Sequence, residues 1–280
     1  MFIYNFDAKI WQMRDFTINT FIILLKTLQK ANYKFQTFAE YLKSPEPRVV
    51  ILRHDVDAKK LNSLRTARIE AEMGIKSTYY FRIVSQSFDP EIIRQIAELG
   101  HEIGYHYEDL AVARGNMERA ITLFAQNLIR FRQIVHIETI CMHGSPLSRF
   151  DNRKIWEKFN YRDFGISGEP YFDLDFSKVL YLTDTGRRWD GEKVSIRDRL
   201  FVIKNDQKKL KVSKNFPIHT SFDFIKSTRR NQIPANLMVT IHPQRWDNKF
   251  WPWILEFIMQ KQKNILKNII VWKNKNISSP

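Results

Sequence analysis

The 280 residues are 44% hydrophobic and 14% aromatic, ample for a real core, which excludes a disordered or fibrous protein. A net charge of +15 favours anionic partners, yet no nucleic-acid-binding motif accompanies it and nucleic acid is not expected. Cys141 is the only cysteine, so an internal disulfide is excluded.

The first residues lack the basic flank and clean apolar run of a secretory signal, and Phe21–Leu25 is too short to cross a bilayer. Cytoplasmic residence, or association with the inner membrane surface, is the expectation. Residues 17–43 carry Phe21, Leu24, Leu25 and Leu28 at helical spacing, until Pro45 and Pro47 break the chain. Val49–Leu52 then reads as a buried strand, and Ala58–Met73 as a helix stopped by Gly74. Ser77–Phe81 reads as a strand, a helix opens at Asp89-Pro90 and ends at Gly100, and Glu102–His106 is the next strand. Asn116–Arg132 is a predicted helix, Thr139–His143 a strand and Asn152–Phe159 a helix.

Residues 161–220 are less regular, with strand candidates at Val179–Thr183 and Leu200–Ile203 and an edge segment near Val212, as in an insertion. A helix at Ser221–Ser227, a strand at Met238–His242 and a final helix over Phe250–Leu266 complete the pattern. Five lysines and no acid follow in Lys261–Lys275, a run that reads either as an anion-attracting surface or as a solvated helix face. Alternating strands and helices imply a parallel sheet covered by helices, in one domain. Asp55, Asp57, His106, His143, Asp184 and His242 all fall at carboxyl ends of strands, where α/β barrels gather their catalytic groups.

Within Arg53-His54-Asp55-Val56-Asp57, the i, i+2 spacing places two carboxylates side by side. They repel unless a cation, a proton or an arginine sits with them, as in a metal ligand beside a general base. Equally, they suit capping of the helix that follows. The second notable segment is Gly100-His101-Glu102-Ile103-Gly104-Tyr105-His106-Tyr107-Glu108, with two glycines and a histidine at the strand end.

Together these segments resemble the polysaccharide deacetylases of carbohydrate esterase family 4, the NodB-homology domain. The likeness runs in the family's order from Val49 to Pro243, through Cys141–Pro146, Tyr181–Gly191 and Met238–Pro243. It implies an α/β fold, a deformed (β/α) barrel of seven or eight strands. Residues 1–47 would form a helical extension, 49–243 the barrel core with an insertion at 161–220, and 244–280 a C-terminal helix and basic tail. The implied activity is metal-dependent removal of N-acetyl groups from a sugar or polysaccharide precursor. Asp55 would be the base, His242 the acid, and Asp57 and His106 metal ligands. The metal would be zinc, with cobalt, nickel or iron accepting the same ligands.

The sequence departs from the family in three ways. Val56 separates the aspartates, Leu110 stands where a second metal histidine is expected, and the third motif lacks its arginine. His143 is expected to supply the missing ligand, with Glu108 as fallback. Arg187 and Arg188 are candidates for binding an anionic acetylated sugar or for pairing with Asp55, although surface ion pairs would explain them as well. Tyr107, Glu108 and Trp189 complete the expected substrate contacts; Trp189, Trp246, Trp251 and Trp253 suit either a sugar-stacking wall or core packing. His101 lies on the opposite strand face from His106 and reads as structural; His136 and His219 read as exposed. The alternatives are a catalytically silent glycan-binding protein of the same fold, and a deacetylase of a small non-sugar amide.

Overall fold

The computed structural model describes residues 14–145, 148–190 and 218–277, with side chains as far as Ile265. Seven strands, all paired in parallel, form one sheet: β1 (Lys34–Gln36), β2 (Val49–Val56), β3 (Thr78–Phe81), β4 (Glu102–Tyr107), β5 (Ile140–Met142), β6 (Leu180–Thr183) and β7 (Asn236–Ile241). Their order is β5-β4-β3-β2-β7-β6, with β1 beside the first half of β2 and β3 beside the second. The sheet curls into a half-barrel with helices, a deformed (β/α) barrel. Among the described residues no ladder joins its edge strands β5 and β6.

The helices are α1 (Ile18–Lys30), α2 (Phe38–Lys43), α3 (Lys60–Glu72), α4 (Pro90–Glu98), α5 (Asp109–Val112), α6 (Met117–Arg132), α7 (Pro170–Asp173), α8 (Ser221–Arg229) and α9 (Phe250–Ile277).

Central strand β2 is buried at all eight positions, the signature of a parallel strand covered on both faces. Its alternate residues separate two environments. Val50, Leu52, Leu237, Val239 and Ile241 pack outward with α1 and α8, while Val49, Ile51, Tyr181 and Met238 form an inner apolar floor with Phe38. Above that floor the inward positions of β2 become Arg53 and Asp55. The polar site therefore stands at the strands' carboxyl ends, on a packed base.

The Gly-x-x-x-Gly of β4 has a steric cause at each end. Gly100 follows the last turn of α4 with φ 90°, a left-handed conformation that costs glycine little. Gly104 faces the Tyr80 ring, and a Cβ there would stand 2.3 Å from Tyr80 Cε1 and 2.8 Å from the Thr139 carbonyl oxygen. Gly104→Ala is therefore expected to overpack the interior and destabilise the fold by about 1–3 kcal/mol in urea unfolding.

Three expectations about segments need correction. Residues 17–43 are not one helix: Asn32 takes φ 62°, α1 stops, β1 joins the sheet, and a Thr37–Glu40 capping box starts α2. Among the described residues, the expected helical extension over 1–47 therefore includes a sheet strand. Asn152–Glu157 is a 3-10 helix, begun where Asp151 caps Arg153. Within the irregular region, the strand expected at Val179–Thr183 is present as Leu180–Thr183 and pairs with β7; Leu200–Ile203 and Val212 lie outside the described residues. The last helix runs past Leu266 to Ile277.

Candidate active site

Arg53 and Asp55 point the same way from β2, and this alternation produces the first contact of the site. Arg53 Nε donates to Asp55 Oδ1 at 2.7 Å and Nη2 to Oδ2 at 2.6 Å, a bidentate pair with both residues buried. Burial pushes the Asp55 carboxyl up, but the charges of Arg53 and His106 outweigh it and hold the group below the usual carboxylate range. The expectation that Arg187 or Arg188 pairs with Asp55 is thus corrected, because its partner is supplied by its own strand.

A depressed carboxyl pKa adds stability above the unfolded value near 3.8, and this stability is lost as pH falls through the folded value. Arg53→Met would leave the carboxylate buried and unpaired. It is expected to cost about 3–5 kcal/mol at neutral pH, measured by urea unfolding, with a smaller penalty below pH about 4.

Asp57 follows the end of β2 and is the hub. Its Oδ1 lies 3.4 Å from His143 Nε2 and 3.7 Å from His106 Nε2, and its Oδ2 lies 3.8 Å from His242 Nε2. His106 Nε2 is also 3.7 Å from Asp55 Oδ2. Asp57 Oδ1 is buried and has no hydrogen-bond partner. Burial raises the Asp57 carboxyl, and the three imidazoles more than offset this and lower it.

Each imidazole is oriented from behind. His106 Nδ1 meets the Cys141 carbonyl oxygen at 2.9 Å, and His143 Nδ1 meets Glu108 Oε2 at 2.9 Å. Both partners only accept, so in each ring Nδ1 carries a proton and Nε2 faces Asp57. Burial lowers His106 to about 4 although Asp55 opposes it, so its ring is neutral at neutral pH. Glu108 is fixed in turn by Arg82, at 2.6 Å from Nη2. Burial raises its carboxyl, but His143 and Arg82 bring it down to about 2.

His242 Nδ1 lies 2.6 Å from Asp184 Oδ1. The same carboxylate accepts from Arg245 Nη1 at 2.6 Å, Trp246 Nε1 at 2.7 Å and the His242 backbone N–H at 2.9 Å. Burial raises Asp184, yet Arg245 and His242 keep it below its ordinary value.

The strand ends therefore bring together Asp55, Asp57, His106, His143 and His242. They do not bring together the expected substrate contacts. Tyr107 is the outward neighbour of His106; it is fully buried and packs edge-on against Phe124 and Trp156. Trp189 is core as well, stacked on Phe16 and donating from Nε1 to Ser221 Oγ at 2.9 Å. Arg188 pairs with Asp190, and Arg187 lies over the rings of Trp253 and Phe257. Glu108 orients His143 instead of facing solvent. Among the other tryptophans, Trp246 is buried behind Asp184, Trp253 donates to the Asp15 carbonyl, and Trp251 is exposed.

His101 lies behind the sheet, bonded to Ser77 and the Ala67 carbonyl, in a buried network with Glu70 and His54. His136 and His219 are exposed. Three residues of the site escaped sequence reasoning: Arg53, Asp184 as the partner of His242, and Gln244. Gln244 Nε2 reaches Asp57 Oδ2 at 3.5 Å, while its Oε1 is buried without a partner. For Arg53 a signal existed, since i and i+2 on a strand share a face. Gln244 carried none.

Among the described residues, no three His, Cys, Asp or Glu side chains already stand as a ready-made metal cluster. The closest spacings around Asp57 Oδ1 are 3.4 and 3.7 Å. For comparison, donors about 3.3 Å apart suit tetrahedral bonds of about 2.0 Å. The orphaned buried carboxylate oxygen and the two imidazole Nε2 atoms facing it are donor types that a divalent cation accepts.

Fold and site define a parallel α/β half-barrel with carboxylates and imidazoles converging at its strand ends. Among solved structures, the chain is similar to a Streptococcus mutans CE4 esterase, at 14% identity and a TM-score of 0.40, over 86% of this chain and 90% of that one. It is also similar to the Xyl-CE4 domain of a multidomain xylanase from the hindgut metagenome of Trinervitermes trinervoides, at 12% identity and a TM-score of 0.35, over 70% and 88%. No family model and no curated protein matches the chain.

Proposed function

We propose that the chain is a metal-dependent hydrolase that removes N-acetyl groups from a sugar or polysaccharide precursor. The observation carrying this reading is Asp57 Oδ1, buried without a hydrogen-bond donor and faced by the Nε2 atoms of His143 and His106. A carboxylate and lone pairs aimed at one another repel unless a cation sits with them. Asp57, His106 and His143 would hold it, leaving a coordination position open. The mixed Asp/His set suits zinc and also accepts cobalt, nickel or iron. When bound, such a cation lowers the pKa of water and polarises an amide carbonyl.

The protein's own groups do the rest. Asp55, held ionised by Arg53, accepts a proton as water attacks the acetyl carbon. Its low pKa makes it a weak base but an always available one. His242 donates a proton from Nε2 to the departing amine, which leaves as a neutral amino sugar, and Asp184 stabilises the imidazolium. A C–O bond forms, the C–N bond breaks, and acetate is the second product.

Glu108 positions a metal ligand, so Glu108→Gln is expected to weaken metal affinity about 10–100-fold, measured by competition with a chelating dye. The reading as a whole is tested by acetate release from a panel of N-acetylated sugars, nucleotide sugars and small non-sugar amides, with Asp57→Ala as control. No release from any of them by metal-loaded protein would overturn it. Release from the non-sugar amides alone would assign a small-amide deacetylase.

A second reading, a catalytically silent glycan-binding protein, is favoured by the absence of a ready-made three-donor cluster among the described residues. Sugar binding in a protein that takes up neither zinc nor cobalt would select it.

A further inference from the structure

Helix α9 presents two unlike faces. Its inner face is tied to the body: Trp253 Nε1 donates to the Asp15 carbonyl, Arg187 lies over the Trp253 and Phe257 rings, and Glu256 and Gln260 are buried. Asn264 Nδ2 donates to the Gly186 carbonyl at 3.1 Å, two residues beyond Asp184. The opposite face carries Trp251, Leu255, Ile258, Met259 and Ile265, between 43% and 72% exposed. Trp251, Leu255, Ile258 and Met259 recur at three- and four-residue intervals and Ile265 follows two turns after Ile258, so they form one stripe along the helix. Such an exposed apolar stripe marks an interaction surface.

The charges beside the stripe identify what it meets. Lys261 lies three residues after Ile258 and four before Ile265, on one edge; Lys263, four residues after Met259, lies on the other. Both lysines are exposed. The rest of the helix adds Lys267, Lys273 and Lys275 and no acid, in a chain of net charge +15. A stripe of tryptophan and aliphatic side chains with lysines along both edges matches the boundary between acyl chains and anionic headgroups. Among the described residues no helix is long and apolar enough to cross a membrane, so α9 would lie in the surface plane. A second copy of this chain would place like charges against one another along the same edges.

We infer that the outer face of α9 docks on an anionic lipid surface. Docking there fixes the loop carrying Asp184, and with it the His242 side of the site, beside the bilayer. The inference stands independently of the reaction assigned above.

The test is co-sedimentation of the full chain with vesicles of phosphatidylcholine and phosphatidylglycerol, against phosphatidylcholine alone. Binding to the mixed vesicles is expected to be about tenfold or more tighter and to weaken as salt is raised. Trp251→Gln/Leu255→Gln and Lys261→Gln/Lys263→Gln are each expected to weaken it about tenfold or more. Thermal unfolding of both variants should match the parent, since all four side chains are exposed. Equal binding to neutral vesicles, no binding to either, or undiminished binding by the Trp251→Gln/Leu255→Gln variant would each overturn the proposal. A dimer in light scattering that this variant dissolves, without vesicle binding, would assign the stripe to a second copy and overturn it too.

Discussion

Asp57→Ala is expected to strip the divalent cation and, with it, hydrolysis. The carboxylate is the only group near all three imidazoles, at 3.4, 3.7 and 3.8 Å from their Nε2 atoms. Its removal leaves two imidazoles, His106 and His143, fewer than the three protein ligands a catalytic zinc site uses. Metal content of dialysed protein, read by elemental analysis, should fall from about one per chain to near none. His143→Ala should do the same, since it removes the third ligand. Full occupancy in either variant would refute the ligand set. Arg53 and Asp55 are paired with each other, so the fold of Asp57→Ala should survive and its circular dichroism should match the parent.

His242→Ala is expected to act differently, lowering kcat by about 10²–10⁴ while metal content stays at the parental level. His242 Nε2 is 3.8 Å from Asp57 Oδ2, and its Nδ1 is held at 2.6 Å from Asp184, the arrangement of an acid steadied by a carboxylate. An amine must leave protonated, so losing the donor should cost most with poor leaving groups and least with activated acetyl esters. The ratio of the two rates separates this role from a merely structural one. Equal losses on amide and activated ester would reject His242 as the acid.

The strands that carry the site were legible because buried parallel strands lie as short segments between helix signals: Val49–Leu52 is a β-rich run after a proline break, and Glu102–His106 follows the helix stop at Gly100. Which residues cluster at strand ends followed from the same reading. Parity rules out the substrate contact expected of Tyr107: next to His106, it must point to the other side of β4, and it stands in the outer core. β1 was hidden, since one helical periodicity covers residues 17–43 and only the positive φ of Asn32 interrupts it. Of the two readings open for Trp189, core packing is the one seen, and Arg187 stacks on neighbouring rings. A large aromatic or an arginine at a strand end can turn toward substrate or toward neighbouring rings, and α9 and Phe16 supplied the rings.

By itself, the sequence determined the alternation of strands and helices, the sheet face on which each strand residue stands, and the helix stop at Gly100. All of these follow from local backbone periodicity and sterics. Tertiary structure alone decided that Glu108 and Cys141 hold the Nδ1 protons of two histidines, and that Asp57 meets side chains from the ends of β4, β5 and β7. Those meetings depend on sheet curvature and strand order, which bring residues far apart in the chain to within a few ångströms, and no local pattern encodes such distances.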